Sequence, residues 1–206
     1  DVNNFEHIDV IKGASALKYG SGAIGGVVVL QPQILPKKDT IMGNVSLSGI
    51  SNGRGADLNV KLAKTWENGW AIKTNGSYKK LGDLEAPDYG LMNTGLESSG
   101  FNFGVQKMTF EKGFSFDYYL TKSTVGILRS SHVGNSEDLR NALTESEPIY
   151  QRDFSYDIDN PKQEIEHHIA KVSAYKRFEN FGKITATYSF QYNHRKEYDI
   201  RRTEQL

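Results

Sequence analysis

The sequence predicts a mostly β protein: a short α/β segment over residues 1–36, then about seven antiparallel strands over 37–206 that form part of a large transmembrane β-barrel. Three observations predict it. Tight turns of one design recur, each with an aromatic on both sides: Trp66-Glu67-Asn68-Gly69-Trp70, Phe110-Glu111-Lys112-Gly113-Phe114 and Phe178-Glu179-Asn180-Phe181-Gly182. The runs between them alternate apolar and polar residues over lengths well beyond a globular norm of about 6. Short and long connections alternate, as they do in barrels with short periplasmic turns and longer external loops.

Composition narrows the field. The chain has 206 residues, 37% of them hydrophobic, and a mean hydropathy of −0.55. Its longest aliphatic run, Val27-Val28-Val29-Leu30, falls far short of the roughly 20 apolar residues of a spanning helix, which excludes a helical membrane protein but not a barrel. Lys plus Arg and Asp plus Glu balance at 25 each with no basic block, so no electrostatic footprint for nucleic acid exists. There is no cysteine, which rules out disulfides and thiolate metal sites. The opening "DVNNFEHIDVI" begins in mid-pattern, and the N-terminus of the native protein is expected upstream.

In the first segment Ile8 to Ile11 reads as a strand and Gly13 as its break. Ala14 to Tyr19 reads as one or two helical turns, Gly20 to Gly26 as a bend, and Val27 to Leu30 as a closing strand stopped by Pro32. Gly20-Ser21-Gly22-Ala23-Ile24-Gly25 fits the dinucleotide pattern G-x-G-x-x-G. That fingerprint needs a strand before it and a helix after it, to seat the pyrophosphate. Here the order is reversed, so no cofactor is expected, and a strand after Gly25 is the observation that separates the readings. Val in place of Gly22 or Gly25 is expected to disturb the fold of this segment if φ is positive there.

The later strands are expected near 41–51, 54–67, 69–80, 97–110, 113–127, 163–179 and 182–200. In 182–192 one face carries Ile184, Ala186, Tyr188, Phe190 and Tyr192, the other Lys183, Thr185, Thr187, Ser189 and Gln191. Nine residues at about 3.3 Å, tilted by about 40°, rise roughly 23 Å, close to the apolar band of a membrane barrel. A Lys turned to lipid at the midplane would cost roughly 2–4 kcal/mol, so Lys73 is expected to face the lumen. Glu166, His167 and His168 place polar groups on both faces, which puts that end of 163–179 above the membrane plane. A soluble β-sandwich binding module would alternate in the same way, with its apolar face buried against a second sheet. The aromatic turns, strand length and loop asymmetry favour the barrel. Between the tight turns lie the connections 51–55, 80–97 and 128–162, the last holding a helix that Ser136 is expected to cap, with Glu137 and Asp138 in its first turn. No catalytic constellation is present, no metal site is expected from the five histidines, and the protein is not expected to be an enzyme.

"IDVIKGASALKYGSGAIGGVVVL" resembles the segment that ends the plug domain of TonB-dependent outer-membrane transporters. The resemblance rests on Lys12-Gly13, the small residues Ala14 to Ala16 with Leu17, Tyr19-Gly20, Gly22, and Gly25-Gly26 before an aliphatic strand. Ala14 stands where some relatives carry proline. The resemblance implies a plug ending at residue 36, barrel strands over 37–206 that make about a third of a 22-stranded barrel, and the outer membrane of a Gram-negative bacterium. It further implies active uptake of a scarce nutrient, such as an iron-siderophore, haem, cobalamin or glycan. A TonB-type coupling protein, engaged through a segment expected upstream, would energise it, with outer-membrane lipid and, in some relatives, a surface lipoprotein as further partners. Lys12, Gly13, Tyr19, Gly20, Gly22, Gly25 and Gly26 are then structural plug residues. His132, Gly134, Asn135, Asp138 and Leu139 match a His-x-Gly-Asn-x-x-Asp-Leu stretch common in such loops, with bracing favoured over ligand contact. The candidate ligand residues are Tyr89, His132, Asn135, Tyr150 and Arg152, since surface loops carry most binding function.

Overall fold

The computed structural model describes residues 7–31, 35–131 and 135–200. Its first element is a hairpin of β1 (His7–Ile11) and β2 (Val27–Gln31), paired antiparallel from His7 opposite Gln31 to Ile11 opposite Val27. Two 3₁₀ segments, Gly13–Tyr19 and Ser21–Ala23, fill the space between. The glycine run therefore ends in a strand, not in a helix that could receive a pyrophosphate. Ala16 and Ala23 are its buried side chains.

Positive φ falls on Gly13, Gly20 and Gly26 at 73°, 119° and 121°. The condition set for Gly22 and Gly25 is not met, since their φ is not in that region and a Cβ there would meet nothing within 4 Å. The chain has to double back where β2 rejoins β1, and that demand falls on Gly26, where an added Cβ would also lie 3.0 Å from the Ile11 carbonyl oxygen.

Seven further strands form one antiparallel sheet: β3 (Thr40–Ile50), β4 (Gly55–Thr65), β5 (Trp70–Leu81), β8 (Leu96–Met108), β9 (Lys112–Gly126), β10 (Lys162–Phe178) and β11 (Gly182–Tyr198). Each pairs with its predecessor in the sheet, so the sheet is a simple meander in chain order. A two-residue pair, β6 (Leu84–Glu85) with β7 (Gly90–Leu91), lies within the connection from β5 to β8. The expected strands stand within two or three residues of their expected ends.

The connections at one end are short because their turn residues close them. At Gly69 the φ is 84° and an added Cβ would lie 2.2 Å from the Met108 carbonyl, so this turn admits only glycine. The aromatics beside the turns gather at this end. Trp70 and Phe114 meet edge to face at 5.5 Å, as do Phe178 and Phe181 at 6.4 Å. Lys107 lies over Trp70, Lys176 over Phe178 and Arg177 over Phe110, each within 5.3 Å of the ring centre.

The polarity of the sheet is inside out. Directly paired residues share a face, and one face carries Ile41, Leu47, Leu62, Phe101 and Tyr188, while the other carries Asn59, Asn75, Asn102 and Thr65. The apolar side chains are the exposed ones, with Ile41 at 76%, Leu47 at 73% and Tyr188 at 71%, whereas Asn59, Asn75 and Asn102 are at 1%, 5% and 6%. A sandwich requires the opposite, since its apolar face is its core. On the polar face Lys73 forms an ion pair with Asp117 at 2.7 Å, across Gly104, where a Cβ would collide with both side chains. Lys73 thus lies on the polar face, as expected. Leu35, from the linker that follows the first hairpin, sits beside Ala71, Lys73, Gly104 and Asp117. Leu35 therefore lies at the polar face, which is the face that would look into a lumen. No helix among the described residues is long and apolar enough to cross a membrane, which says nothing of crossing by strands.

Candidate functional site on the long connections

At the end opposite the aromatic turns, three connections meet: 51–54, 82–95 and 127–161. Residues 152–161 run as a strap across the other two. Tyr156 Oη donates to the Arg54 carbonyl at 2.6 Å, and the Asp83 amide donates to the Ser155 carbonyl at 2.9 Å. Phe154 meets Tyr156 edge to face at 4.9 Å and lies 4.3 Å beneath the Arg54 guanidinium.

Two side chains fasten the strap. Asn93, 1% exposed, holds φ at 65°, and its Nδ2 lies within hydrogen-bond distance of the carbonyls of Ile127, Asp159 and Pro161 at 3.0, 3.0 and 2.9 Å. Its Oδ1 accepts from the Asp159 amide at 2.8 Å. Asp83, buried, accepts from the amides of Asn93 and Thr94 through Oδ1 and from Arg152 Nε through Oδ2 at 2.8 Å. Arg152 also reaches Asp159 Oδ2 at 2.7 Å and the Asp157 carbonyl at 2.8 Å. The hydrogen bond to Asp83 raises the guanidinium pKa above its ordinary value, against the opposing effect of burial, so its charge is fixed.

Beside this latch the β6–β7 hairpin and the strap enclose a cleft of about 360 Å³. Its lining includes Arg54, Glu85, Asp88, Tyr89, Asp153 and Phe154. Arg54 is neutralised by Glu85 at 2.7 Å, while Asp88 and Asp153 have no ion pair among the described residues. The cleft therefore offers two unneutralised carboxylates beside aromatic rings, which suits a ligand rich in hydrogen-bond donors and disfavours a polyanion. It holds no nucleophile and base in contact, and among the described residues no three metal-binding side chains converge.

Of the expected ligand residues, the structure brings Tyr89 and Arg152 to this one cleft. Arg152 is there chiefly as a brace, because all three of its nitrogens are engaged by the latch. Tyr150 sits elsewhere on the long connection, its backbone exchanging hydrogen bonds with Ser130 Oγ at 3.1 and 3.3 Å and its ring 5.1 Å from the Arg129 guanidinium. Asn135 begins the helix α1 (Ser136–Thr144): its carbonyl accepts the first helical bond, from the Leu139 amide at 3.1 Å. This makes Asn135 the N-cap residue in place of Ser136, the expected cap, because the chain enters the helical turn one residue earlier. His132 lies outside the described residues. Asp83, Asn93, Asp88 and Phe154 were not singled out from the sequence. A hint was present in Asp83 and Asn93, each a turn-former at one end of a long polar connection, but their partners on the strap lie 66 to 69 residues away.

A hairpin enclosing two 3₁₀ segments thus precedes an unclosed, inside-out antiparallel meander of seven strands. Residues 1–27 match the model of the TonB-dependent Receptor Plug Domain family, and this match supports the TonB-dependent receptor family for the chain. It is also similar to the protein named Vitamin B12 transporter BtuB of Vibrio vulnificus (strain CMCP6), at 29% identity over 116 residues. That match covers 55% of this chain and 18% of that relative, so the chain spans well under two thirds of its length. No solved structure matches the chain significantly.

Proposed function

We propose that residues 1–36 close the plug and residues 37–206 supply the first strands and loops of the barrel of an outer-membrane transporter. It takes up a scarce nutrient, with energy delivered to the plug by a TonB-type coupling protein. The single observation that carries this reading is the inverted polarity of the sheet, joined through its linker to the plug signature: lipid outside and a filled lumen inside make the exposure of Ile41, Leu47 and Tyr188 favourable. The linker on the polar face gives the coupling protein a path for force from the plug to the lumen wall. The ligand classes remain iron-siderophore, haem, cobalamin and glycan. Cobalamin is named for the Vibrio relative, and the carboxylate-lined cleft favours ligands with amide, hydroxyl or cationic donors over anionic siderophores. Tyr89, Asp88 and Asp153 are the proposed ligand contacts, and Arg152 the residue that positions them.

The test is uptake by cells carrying the native gene product, scored for each ligand class with and without the coupling protein. One class is expected to accumulate only when the coupling protein is present, and Tyr89→Ala with Asp88→Asn is expected to raise the half-saturating concentration about tenfold, the loss of one or two good contacts. Accumulation that ignores the coupling protein would overturn energised transport. A double variant indistinguishable from wild type would remove the cleft from the ligand path.

A further inference from the structure

Asp88 and Tyr89 stand on one wall of the cleft, the β6–β7 hairpin, and Asp153 and Phe154 on the other, the strap. Neither wall belongs to the seven-stranded sheet. Both are held instead by the short connection Ser51-Asn52-Gly53-Arg54. Asn52 grips the hairpin through its backbone: Nδ2 donates to the Glu85 carbonyl at 2.9 Å, and Oδ1 accepts from the Glu85 amide at 2.8 Å. That exchange of two bonds is the one a neighbouring strand would make, so the carboxamide supports a two-residue pair that would be marginal alone. Arg54 touches both walls. Its Nη2 pairs with Glu85 Oε1 on the hairpin at 2.7 Å, and its guanidinium lies over the Phe154 ring of the strap at 4.3 Å. Its carbonyl accepts from Tyr156 Oη of the strap at 2.6 Å.

The backbone argues that the Arg54 side chain is required where it stands. Gly53 and Arg54 hold φ at 89° and 45°, a region that favours glycine at both positions. Glycine occupies the first, where an added Cβ would lie 3.3 Å from the Gly82 carbonyl, yet a long side chain is kept at the second. Glycine or asparagine would close this turn with less strain, but neither reaches Glu85 and Phe154 together. A strained residue of this kind persists where its surroundings over-determine it. The ion pair alone does not explain it, because the Arg54 and Glu85 side chains are 57% and 48% exposed and such a pair contributes little. The guanidinium meets a carboxylate on one wall and a ring on the other at the same time, which a planar, delocalised cation does best.

We propose that Arg54 and Asn52 are positioning residues for the ligand: they clamp the two walls of the cleft at a fixed spacing, so that Asp88 and Tyr89 face Asp153 and Phe154 before the ligand arrives. The inference rests on the reading of this cleft as the ligand site. Arg54 adds no free charge to it, since Glu85 takes that charge. Its contribution is to the spacing, and a cleft already at its binding width spares the ligand the cost of ordering two loops.

The test uses the native gene product in detergent and two readouts. Spin labels on Asp88→Cys and Asp153→Cys, in a background free of other cysteines, report the distance between the walls without ligand. Equilibrium binding is measured on unlabelled protein with two donor-rich probes, cyanocobalamin and maltoheptaose. Arg54→Ala and Asn52→Ala are each expected to broaden the distance distribution and to weaken binding of the probe that the wild type takes by about fivefold. Arg54→Lys keeps the charge without the planar fork and is expected to fall between wild type and Arg54→Ala in both readouts. Tyr89→Ala, which removes a direct contact, is expected to weaken binding with the distance unchanged. A wild-type distance in both Arg54→Ala and Asn52→Ala, or a broadened distance with unchanged affinity, would overturn this inference while the loss in Tyr89→Ala upholds the ligand site. Binding of neither probe by the wild type, or full affinity in Tyr89→Ala, would sink the ligand-site reading and this inference with it.

Discussion

Asp83 and Arg152 show how one residue pair determines the shape of a 35-residue connection, residues 127–161. The Asp83 carboxylate is buried, and without Arg152 it would keep two amide donors but lose its countercharge. Removing one partner of such a pair costs on the order of 3 kcal/mol, because the remaining charge stays desolvated. Arg152→Ala is therefore expected to free the strap, seen as faster protease cleavage within 127–161 while the sheet resists as before. Arg152→Ala together with Asp83→Asn should recover part of the protection, since the uncompensated charge is gone. Wild-type cleavage in the single variant would show that Asn93 and the Tyr156 contact suffice without the ion pair. None of this was legible in the sequence. The strap has no period, and its partners come from another connection, so only three-dimensional folding brings Asp83 beside Arg152. Which glycines are strained was hidden for a related reason: a run such as Gly20 to Gly26 announces a bend, but which glycine takes positive φ depends on where β2 meets β1.

The strands were the legible elements, because their period of two is enforced by two different surroundings on opposite faces. Gly182 to Tyr198 shows it most clearly, with Tyr188 pointing outward and Thr187 toward the polar face in adjacent positions. The same substitution at the two sites separates a lipid-facing wall from a soluble sheet. Tyr188→Lys is expected to destabilise the protein in phospholipid by roughly 2–4 kcal/mol, as a lysine near the midplane should, while Thr187→Lys is expected to stay within about 1 kcal/mol. The measurement is denaturant unfolding in liposomes, followed by the heat-dependent gel shift. Equal penalties at the two positions would mean that the faces do not differ in solvent. The tight turns were legible for the same reason: Asn68-Gly69 allows one closure only, and its aromatic flanks mark an interface between two media.

At the scale of the whole molecule, seven strands leave two edges. β3 pairs only with β4 and β11 only with β10, so each presents a full row of unpaired backbone groups on its far side. In water such edges invite association with other chains; in hydrocarbon each unsatisfied amide or carbonyl costs several kcal/mol, so an open sheet cannot persist there. The order β3 to β11 also rules out closure by a crossover, since each internal strand already has two neighbours. A barrel built on this wall therefore needs further strands to join β11 back to β3. Residues 1–206 expressed alone and refolded into detergent are accordingly expected to give no heat-dependent gel shift and to sediment as oligomers, while the native gene product gives the shift as a monomer or a defined oligomer. A sharp, heat-modifiable monomer from residues 1–206 would show that β3 and β11 pair with each other. The polar face would then surround a narrow lumen with no space for a plug, and the transport reading would fall with the wide barrel it requires.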